Sequence, residues 1–336
     1  MSLERSRTTV RFGSPRRDLV CSRPVTQTEA GEPHLLSSGE QVSLPPHDAF
    51  YAALTERNRP LISEYEQLRL QRSLILVAGC GSVGGAVVEP LVRLGAENLV
   101  LAEPDGYDMH NMNRQSVRLQ DLGRNKAVVF QERMRDINPF ARIEVETNGI
   151  THENVADLVS RSAVVVDAVD VTTKEPLRAK FALHEQAKRF RVPVVAGYDI
   201  AGVQLLLISD YRDGAVPLLY GKVTATDIER LEPAQFLAEV VPLRAVPGEI
   251  IPVFEELARG ERKVFPQLVY SAHLFGVLAT RAVLDLVAGR KVRARVVIDV
   301  HDILRPLGRR VRVQGERIRA LVRLQLDVQR DRRARR

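Results

Sequence analysis

The residues with the clearest chemical meaning lie in a glycine-rich turn near position 80. Gly79, Gly81 and Gly84 are spaced as G-x-G-x-x-G, directly after the apolar run Leu74–Ala78 and before an amphipathic run. Glycine permits a tight turn and lets the backbone approach a phosphate, while the start of a helix offers free N–H groups and positive potential. The position of these glycines between a predicted strand and a predicted helix indicates a nucleotide site.

Two acidic residues follow the next apolar run. Glu103 stands at the end of residues 99–102, about where an acid accepts hydrogen bonds from the hydroxyl groups of a ribose, and Asp105 is a second candidate two residues later. At this point of the sequence a nicotinamide dinucleotide, a flavin and ATP all remain open as ligands.

A polar run beyond Glu103 distinguishes among these nucleotides. Its residues are Asn111-Met112-Asn113-Arg114-Gln115, and Lys126 follows in a second basic stretch. Arg114 and Lys126 add more positive charge than a pyrophosphate at a helix end requires, and they fit a triphosphate. Phosphoryl and nucleotidyl transfer are catalysed chiefly by charge neutralisation and positioning, for which an arginine, a lysine and a metal-binding carboxylate are the usual means.

The carboxylate predicted to bind the metal is Asp170, which follows another apolar run. Carboxyl ends of parallel strands are where open α/β sheets bind their ligands, so Asp170 is placed to hold Mg²⁺. Asp199 follows the next run along the chain and is a candidate for the substrate entrance on position alone.

Short apolar runs alternate with longer amphipathic runs from residue 73 onward, which predicts strands alternating with helices. The predicted strands are 74–78, 99–102, 143–147, 163–167 and 192–196, and the predicted helices are 83–94, 126–137, 154–159 and 176–190. Residues 204–209 follow after a short link, which favours antiparallel pairing. We therefore predict an α/β fold with a Rossmann-like, doubly wound mixed sheet, parallel central strands, and C-terminal antiparallel strands and helices.

Changes in composition divide the chain into five parts. Residues 1–47 lack hydrophobic periodicity and are predicted to be a disordered leader, and residues 48–72 to form N-terminal helices. Residues 73–210 form the predicted nucleotide-binding domain. Residues 211–315 are expected to be a crossover or substrate region that completes the sheet, and residues 316–336 a basic C-terminal helix and tail.

Composition excludes several classes of protein. With 336 residues, 45% hydrophobic and 27% charged, the chain is globular. Two distant cysteines, Cys21 and Cys80, fit neither a disulfide framework nor a zinc knuckle, which favours the cytoplasm and predicts no zinc.

No uncharged apolar run reaches the roughly 18 residues of a membrane helix. The net charge of +7 owes much to terminal arginines without interleaved aromatic residues, which disfavours nucleic acid as a partner.

These motifs together resemble the ThiF/MoeB/HesA family, the bacterial relatives of ubiquitin-activating enzymes, across residues 57–209. The resemblance implies an adenylyltransferase that uses ATP and Mg²⁺ to adenylate the C-terminal carboxylate of a ubiquitin-like protein or peptide, with release of pyrophosphate. It also implies a homodimer in which an arginine of the opening helix reaches into the partner subunit's site, and we assign that role to Arg59.

The resemblance carries over to individual residues of the nucleotide site. It implies that the nucleotide is lined by Gly79, Gly81 and Gly84, and that Glu103 replaces the ribose-binding aspartate. It implies that the phosphates and the transition state are held by Asn111, Arg114, Gln115 and Lys126. Asp170 would bind Mg²⁺.

The chain departs from the family pattern in three ways. Glu103 replaces an aspartate, Val171 replaces the usual asparagine after Asp170, and no cysteine follows Cys80. The last departure removes both the zinc site of many relatives and the cysteine with which some form a thioester, so adenylation would proceed without a thioester on this chain. Two other interpretations stay open: a non-catalytic family member that binds or dimerises with an active partner, and an NAD-dependent oxidoreductase.

Overall fold

The computed structural model describes residues 33–36, 38–258, 261–262 and 264–334. Its first elements are β1 (Pro33–Leu35), β2 (Gln41–Ser43), α1 (His47–Thr55), α2 (Glu64–Arg72), β3 (Leu74–Ala78), α3 (Ser82–Leu94), β4 (Asn98–Ala102), α4 (Lys126–Ile137), β5 (Arg142–Glu146), α5 (Val155–Ser160), β6 (Val164–Asp167) and α6 (Lys174–Phe190). The chain continues with β7 (Val194–Ile200), β8 (Val203–Ser209), α7 (Ala225–Arg230), α8 (Pro233–Val240), α9 (Ile251–Ala258), α10 (Val269–Val287), β9 (Arg295–Asp299), α11 (Val300–Leu304) and α12 (Leu307–Ala334).

Seven of the strands form one mixed sheet in the order β5-β4-β3-β6-β7-β8-β9. The strands from β5 to β7 are parallel, whereas β8 pairs antiparallel with both β7 and β9. The predicted Rossmann-like mixed sheet is therefore confirmed. The chain leaves β3 toward β4 on one side and returns to β6 on the other, so a crevice opens beyond the carboxyl ends of β3 and β6, where such sheets bind ligands.

Both faces of the sheet are covered because the central strands are apolar on both sides. In β3, Ile75 and Val77 pack toward α3, α4 and α10, while Leu76 and Ala78 pack toward α5 and α6. This packing fixes the height of the glycine turn at the end of β3 relative to the loops that follow β4 and β6.

The segment between β8 and α10 adds an apolar layer to the far end of the sheet. Phe236 in α8, Ile250 before α9 and Leu219 after β8 pack against Leu205 and Leu207 of β8. Two short helices, α8 and α9, lie within the segment that was expected to be a crossover or substrate region. This region is thus anchored to the sheet that carries the predicted substrate entrance.

One helix within the described residues, α10, is long and apolar enough to cross a membrane by length and composition. It lies in the core instead, since Phe275, Ala279 and Val283 are fully buried in the cluster that also contains Val87 and Leu91 of α3. An apolar helix that packs between a sheet and a second helix satisfies the same composition test.

The ends of the chain differ from expectation in two places. Within the predicted disordered leader, residues 33–35 and 41–43 pair as a short antiparallel hairpin, while residues 1–32, including Cys21, lie outside the described residues. The C-terminal helix begins at Leu307 and not near residue 316. Pro306 precedes the helix and favours a start there, because proline fits a helix beginning but not a helix interior.

Candidate functional site

The glycine turn closes tightly onto its surroundings, and two of its glycines are required for that closure. Gly79 has φ +91°, and a Cβ at this position would lie 2.3 Å from the carbonyl oxygen of Ala168 after β6. A Cβ on Gly84 would lie 1.8 Å from the carbonyl oxygen of Gly79. At Gly81 a Cβ would meet only Nε2 of Gln115, at an ordinary 3.7 Å. Close packing therefore requires glycine at positions 79 and 84, whereas Gly81 leaves space for a ligand to approach the start of the helix.

The N-terminus of α3 carries free hydrogen-bond donors. Gly81 is its N-cap residue and makes no side-chain capping bond, so the first N–H groups of the helix have no cap. The hydroxyl of Ser82 is buried and has no hydrogen-bond partner in the structure. A helix start of this kind binds anions through its N–H groups and its dipole.

Glu103, the predicted ribose ligand, is buried and ties the glycine turn to the next loop. Its carboxylate accepts hydrogen bonds from the backbone N–H of Cys80, at 2.5 Å, and of Asp105, at 3.0 Å. Burial raises the pKa of Glu103, and the charge of Lys126 opposes that rise. Each carboxylate oxygen has a second lone pair, so these bonds leave acceptor capacity for a ribose hydroxyl.

Lys126, at the start of α4, is buried between two carboxylates. Its Nζ lies 3.2 Å from Oδ2 of Asp105 and 3.7 Å from Oε1 of Glu103. An ammonium group has three donors, so one further acceptor, such as a phosphate oxygen, can join this cluster. A cavity lined by Asp105, Asn111 and Lys126 opens beside it.

The polar run after β4 forms short helical turns that hold its side chains in fixed positions. Asn111 is buried, and its side-chain oxygen accepts a hydrogen bond from the backbone N–H of Asp108. Arg114 is half-buried and donates from Nη1 to the carbonyl of His110 and to the side chain of Asn113, each at 2.9 Å. Nε of Arg114 and Oε1 of Gln115 are buried without partners. Two of the predicted phosphate ligands thus present unused polar atoms.

Arg114 also faces the carboxyl ends of β6 and β7. Burial lowers the pKa of Arg114, and the negative charges of Asp199 and Asp170 oppose that shift. The structure therefore brings Arg114 into the range of Asp170, as the sequence predicts, and of Asp199. Four residues thus lie close together around the start of α3: Gly81, Gln115, Arg114 and Asp199.

Asp170 is exposed in the loop after β6. Its Oδ1 accepts hydrogen bonds from the backbone N–H groups of Val171 and Thr172, and its Oδ2 accepts one from the hydroxyl of Thr172. No group of three or more potential metal ligands converges within the described part of the chain. A single carboxylate suffices for Mg²⁺ when the phosphates of a nucleotide and water complete its shell, so Asp170 fits that role only together with a nucleotide.

Arg59, predicted to act across a dimer, lies at the surface before α2. Its side chain is 61% exposed, and its Nη1 lies 3.6 Å from Glu64. An exposed ion pair of this length contributes little to stability, so the arginine is free to exchange partners. Its role in a partner subunit's site stays a prediction.

A buried polar network beside the site was not predicted from the sequence. Asp167, the last residue of β6, is fully buried and accepts hydrogen bonds from Nζ of Lys180 at 2.6 Å and Nε2 of His184 at 3.0 Å. The hydroxyl of Tyr211 lies 2.8 Å from Nδ1 of His184 and completes the network. Lys180 and His184 are four residues apart on the buried face of α6, and polar residues at that spacing on an apolar helix stripe are a signal that could have identified them.

The pKa values within this network follow from its charges. Burial by itself would raise the pKa of Asp167, but the charge of Lys180 and the hydrogen bonds from His184 and Lys180 outweigh it and lower the value to about 2. Burial lowers the pKa of His184, so this residue is neutral at pH 7 and is best satisfied by donating to Asp167 and accepting from Tyr211. The network is internally complete and holds α6 to the sheet.

Cys80 is fully buried within the glycine turn. Burial raises its pKa well above the ordinary value, and the charge of Glu103 raises it further. A buried thiol with a raised pKa is a poor nucleophile, which supports a structural role for this cysteine.

Comparison with known proteins finds similarities over the residues that carry these features. Residues 55–208 match the ThiF family. The chain is 33% identical over 112 residues to a sulfur carrier protein adenylyltransferase of Thermus thermophilus, covering 33% of this chain and 41% of that protein. It is 37% identical over 123 residues to the tRNA threonylcarbamoyladenosine dehydratase of Escherichia coli, covering 36% and 44% of the two chains. The alignments with curated relatives span from 25% to 53% of those proteins' lengths.

Solved structures show the same fold. The crystal structure of PaaA superposes with a TM-score of 0.53 at 20% identity, covering 75% of this chain and 77% of that one. The Escherichia coli dehydratase, in a structure described as a complex with ATP, gives a TM-score of 0.51 at 24% identity and covers 72% of this chain and 96% of that one. The glycine turn, the polar run and the loop after β6 all fall inside residues 55–208, the part of this chain that is similar to the ThiF family.

Proposed function

We propose that this chain binds ATP beyond the carboxyl ends of β3 and β6 and adenylates the C-terminal carboxylate of a ubiquitin-like protein or peptide. The observation that carries the proposal is the group of buried, unpaired polar atoms around the start of α3: Ser82 Oγ, Arg114 Nε and Gln115 Oε1. A buried polar group without a partner destabilises a folded protein by about 1–3 kcal/mol, so three at one helix start indicate a site that a ligand completes.

The relatives support this choice among nucleotide reactions. Three of the matched proteins are named as adenylyltransferases of sulfur carrier proteins, and another as a SAMP-activating enzyme E1. Small carrier proteins are therefore the substrate class that we propose here.

The reaction requires little chemistry from side chains. A substrate carboxylate, ionised at neutral pH, attacks the α-phosphorus of ATP; the new bond joins the carboxylate oxygen to that phosphorus, and the bond to the bridging oxygen of pyrophosphate breaks. No general base is needed. Arg114 and the third donor of Lys126 stabilise the charge that develops on the phosphate oxygens, and the α3 N-terminus orients the phosphates.

Asp170 would hold Mg²⁺, which supplies charge neutralisation on the phosphates when it is bound. Arg59 would be contributed to the site by the second subunit of a homodimer. Because Cys80 is buried and its pKa is raised, the acyl-adenylate would pass to an external sulfur or amine donor and not to the thiol of Cys80.

The first test measures binding of ATP and NAD(H), together with pyrophosphate exchange in the presence of small proteins that end in Gly-Gly and are encoded beside this chain. Arg114→Ala should lower exchange by about 10²–10³-fold, since it removes a donor to the transition state. Arg118→Ala, which removes an exposed arginine four residues away, is the matched control and should leave exchange unchanged.

The outcomes separate the proposed activity from the two other interpretations. Binding of ATP without exchange for any carrier would favour a non-catalytic family member, and tight binding of NAD(H) without binding of ATP would contradict the proposal outright.

The glycines offer a second test that separates packing from ligand approach. Gly81→Ala should fold normally, because its Cβ meets only ordinary contacts, and should weaken ATP binding. Gly84→Ala should destabilise the fold, because its Cβ would overlap the carbonyl of Gly79. Gly214→Ala, where the added Cβ meets nothing within 4 Å, is the control for both. Normal ATP binding by a folded Gly81→Ala protein would contradict the placement of the phosphates at this helix start.

A further inference from the structure

Asp199, near the end of β7, has no hydrogen-bond partner for its carboxylate. Both of its carboxylate oxygens are buried and accept no hydrogen bond of normal geometry. Its neighbour across the antiparallel pair, Gln204 of β8, is neutral, and the side-chain oxygen of Gln204 is also unpaired. An unpaired carboxylate at a buried position destabilises the free protein, so its presence needs an explanation.

The charged and polar groups that face Asp199 come from two other elements. Arg114, in the loop after β4, acts on Asp199 through its positive charge, and Ser82, at the start of α3, lies near enough for its hydroxyl to favour the charged form. Burial nevertheless dominates and raises the pKa of Asp199 to about 7. Asp170 approaches the same guanidinium from the loop after β6.

Ser82 and Arg114 are also the residues whose unused polar atoms mark the nucleotide site. Asp199 therefore borders the space that the phosphates of a nucleotide would enter. An ionised carboxylate there would repel a phosphate, whereas a protonated carboxyl group can donate a hydrogen bond to it.

We propose that Asp199 is a ligand-binding residue of this site and that, as an uncharged carboxylic acid, it donates a hydrogen bond to an anionic phosphate oxygen of bound ATP. The proposal rests on the proposed function only in taking ATP as the ligand. The proton comes from the solvent when the nucleotide binds, because the negative charge of the phosphates favours the protonated carboxyl group. The phosphate oxygen accepts the hydrogen bond and keeps its charge.

Proton uptake gives a readout that does not depend on catalysis. We would titrate ATP, without a carrier protein, into the full chain at pH 8 in buffers of different ionisation enthalpy. At this pH about nine-tenths of a group with a pKa near 7 is ionised in the free protein, so the wild-type chain should take up most of one proton for each ATP bound. Asp199→Asn should take up none beyond the background of the nucleotide itself, and its amide can donate the same hydrogen bond.

The affinity of variants for ATP tests whether the ligand needs a hydrogen-bond donor at position 199 or a negative charge there. Asp199→Asn should bind ATP within about threefold of the wild type, while Asp199→Ala should bind about tenfold more weakly, as expected for one lost hydrogen bond to a charged group. Asp157→Asn, at an exposed carboxylate that the site does not include, serves as the control and should leave proton uptake in place. Denaturation curves establish that each variant is folded.

The results that would overturn the proposal are specific. If ATP binds to the wild type without uptake of a proton, or if Asp199→Asn weakens binding as much as Asp199→Ala, the charged carboxylate is what the ligand needs, and Asp199 does not act as a donor. If the wild type does not bind ATP at all, the proposed function fails as well, so the two failures are distinguishable.

Discussion

Asp167 and Asp199 lie near the carboxyl ends of neighbouring parallel strands, β6 and β7, and have opposite surroundings. Asp167 is fully buried, accepts hydrogen bonds from Lys180 and His184, and has a pKa lowered to about 2. Asp199 has both oxygens buried without a hydrogen bond, and burial raises its pKa to about 7. The same side chain at the same edge of one sheet thus has two protonation behaviours.

Burial alone therefore does not determine the protonation state or the role of a carboxylate. A buried charge is tolerated where an opposite charge and hydrogen bonds surround it, and then it holds the fold together. Where those partners are missing, the group is kept at the expense of stability, and such positions concentrate at sites that bind ligands. Asp167 belongs to the scaffold by this criterion, and Asp199 to the site.

The comparison is tested most strongly by removing Asp167. Asp167→Ala leaves the ammonium group of Lys180 buried without a counter-charge, and we expect a loss of about 3–5 kcal/mol in the free energy of unfolding at pH 7. Urea denaturation followed by circular dichroism measures it. Asp157→Ala is the control, because its pair with Arg161 is exposed and should contribute less than about 1 kcal/mol. Equal effects of the two substitutions would contradict a structural role for Asp167.

Protonation of Asp167 in acid should lower the free energy of unfolding of the wild-type protein. The pKa of Asp167 is lower in the folded protein than its ordinary value of 3.8, so its contribution is complete above pH 3.8 and is lost as the pH falls toward 2. The expected loss is about 2 kcal/mol. Denaturation curves between pH 5 and pH 2 measure it, and Asp167→Asn should lack this part of the pH dependence. An unchanged acid dependence in that variant would show that other groups cause it.

Asp199 should behave in the opposite direction. Its folded pKa is raised to about 7, so its stability contribution is complete below pH 3.8 and is lost as the pH rises through 7. In the absence of nucleotide, Asp199→Asn should therefore be more stable than the wild type by about 1–2 kcal/mol at pH 8 and equal to it at pH 3.5, where fewer than half of the unfolded chains carry the charge. The whole pKa shift of Asp199 would correspond to a larger difference in the free energy of unfolding. We expect a smaller one because the residue is partly exposed, and solvent screens its charge. A less stable variant at pH 8 would mean that Asp199 has a partner in the free protein.

The smallest effect is expected at the edge of the Asp167 network. Tyr211→Phe removes the hydroxyl that lies 2.8 Å from Nδ1 of His184 and leaves that buried nitrogen unpaired, which should lower the free energy of unfolding by about 1 kcal/mol. Tyr65→Phe, at a side chain that is 63% exposed, is the control and should change little. If both variants unfold alike, the network ends at His184.

The parts of the site that could be predicted from the sequence are those with local causes. The glycine turn follows a strand and opens a helix, and Arg114, Gln115 and Lys126 lie on the loop and the helix that come next. Parallel strands gather their carboxyl ends at one edge, so Asp170 and Asp199 were expected there as well. These inferences need only periodicity, spacing and the geometry of a parallel sheet.

The parts that could not be predicted depend on contacts between distant segments. The partners of Asp167 come from the buried face of α6, and the helix pattern alone does not say which strand that face meets. Glu103 was predicted to bind ribose, and the structure shows in addition that it anchors the turn at Cys80 and pairs with Lys126. The C-terminal helix, too, starts earlier than its charge pattern indicates, at the proline that precedes it.

The alternation of strands and helices in the parallel part of the sheet, the glycine turn and the polar residues near it follow from residue types at short separations along the chain. Which carboxylates accept hydrogen bonds and which accept none depends on the packing of distant segments in the folded protein. Pairing sets the protonation of Asp167 and Asp199, and it depends on the sheet bringing β6, β7, α6 and the loop of Arg114 together. Electrostatic interactions act over a few ångströms in space and not along the chain, so their outcome is fixed only when the chain has folded.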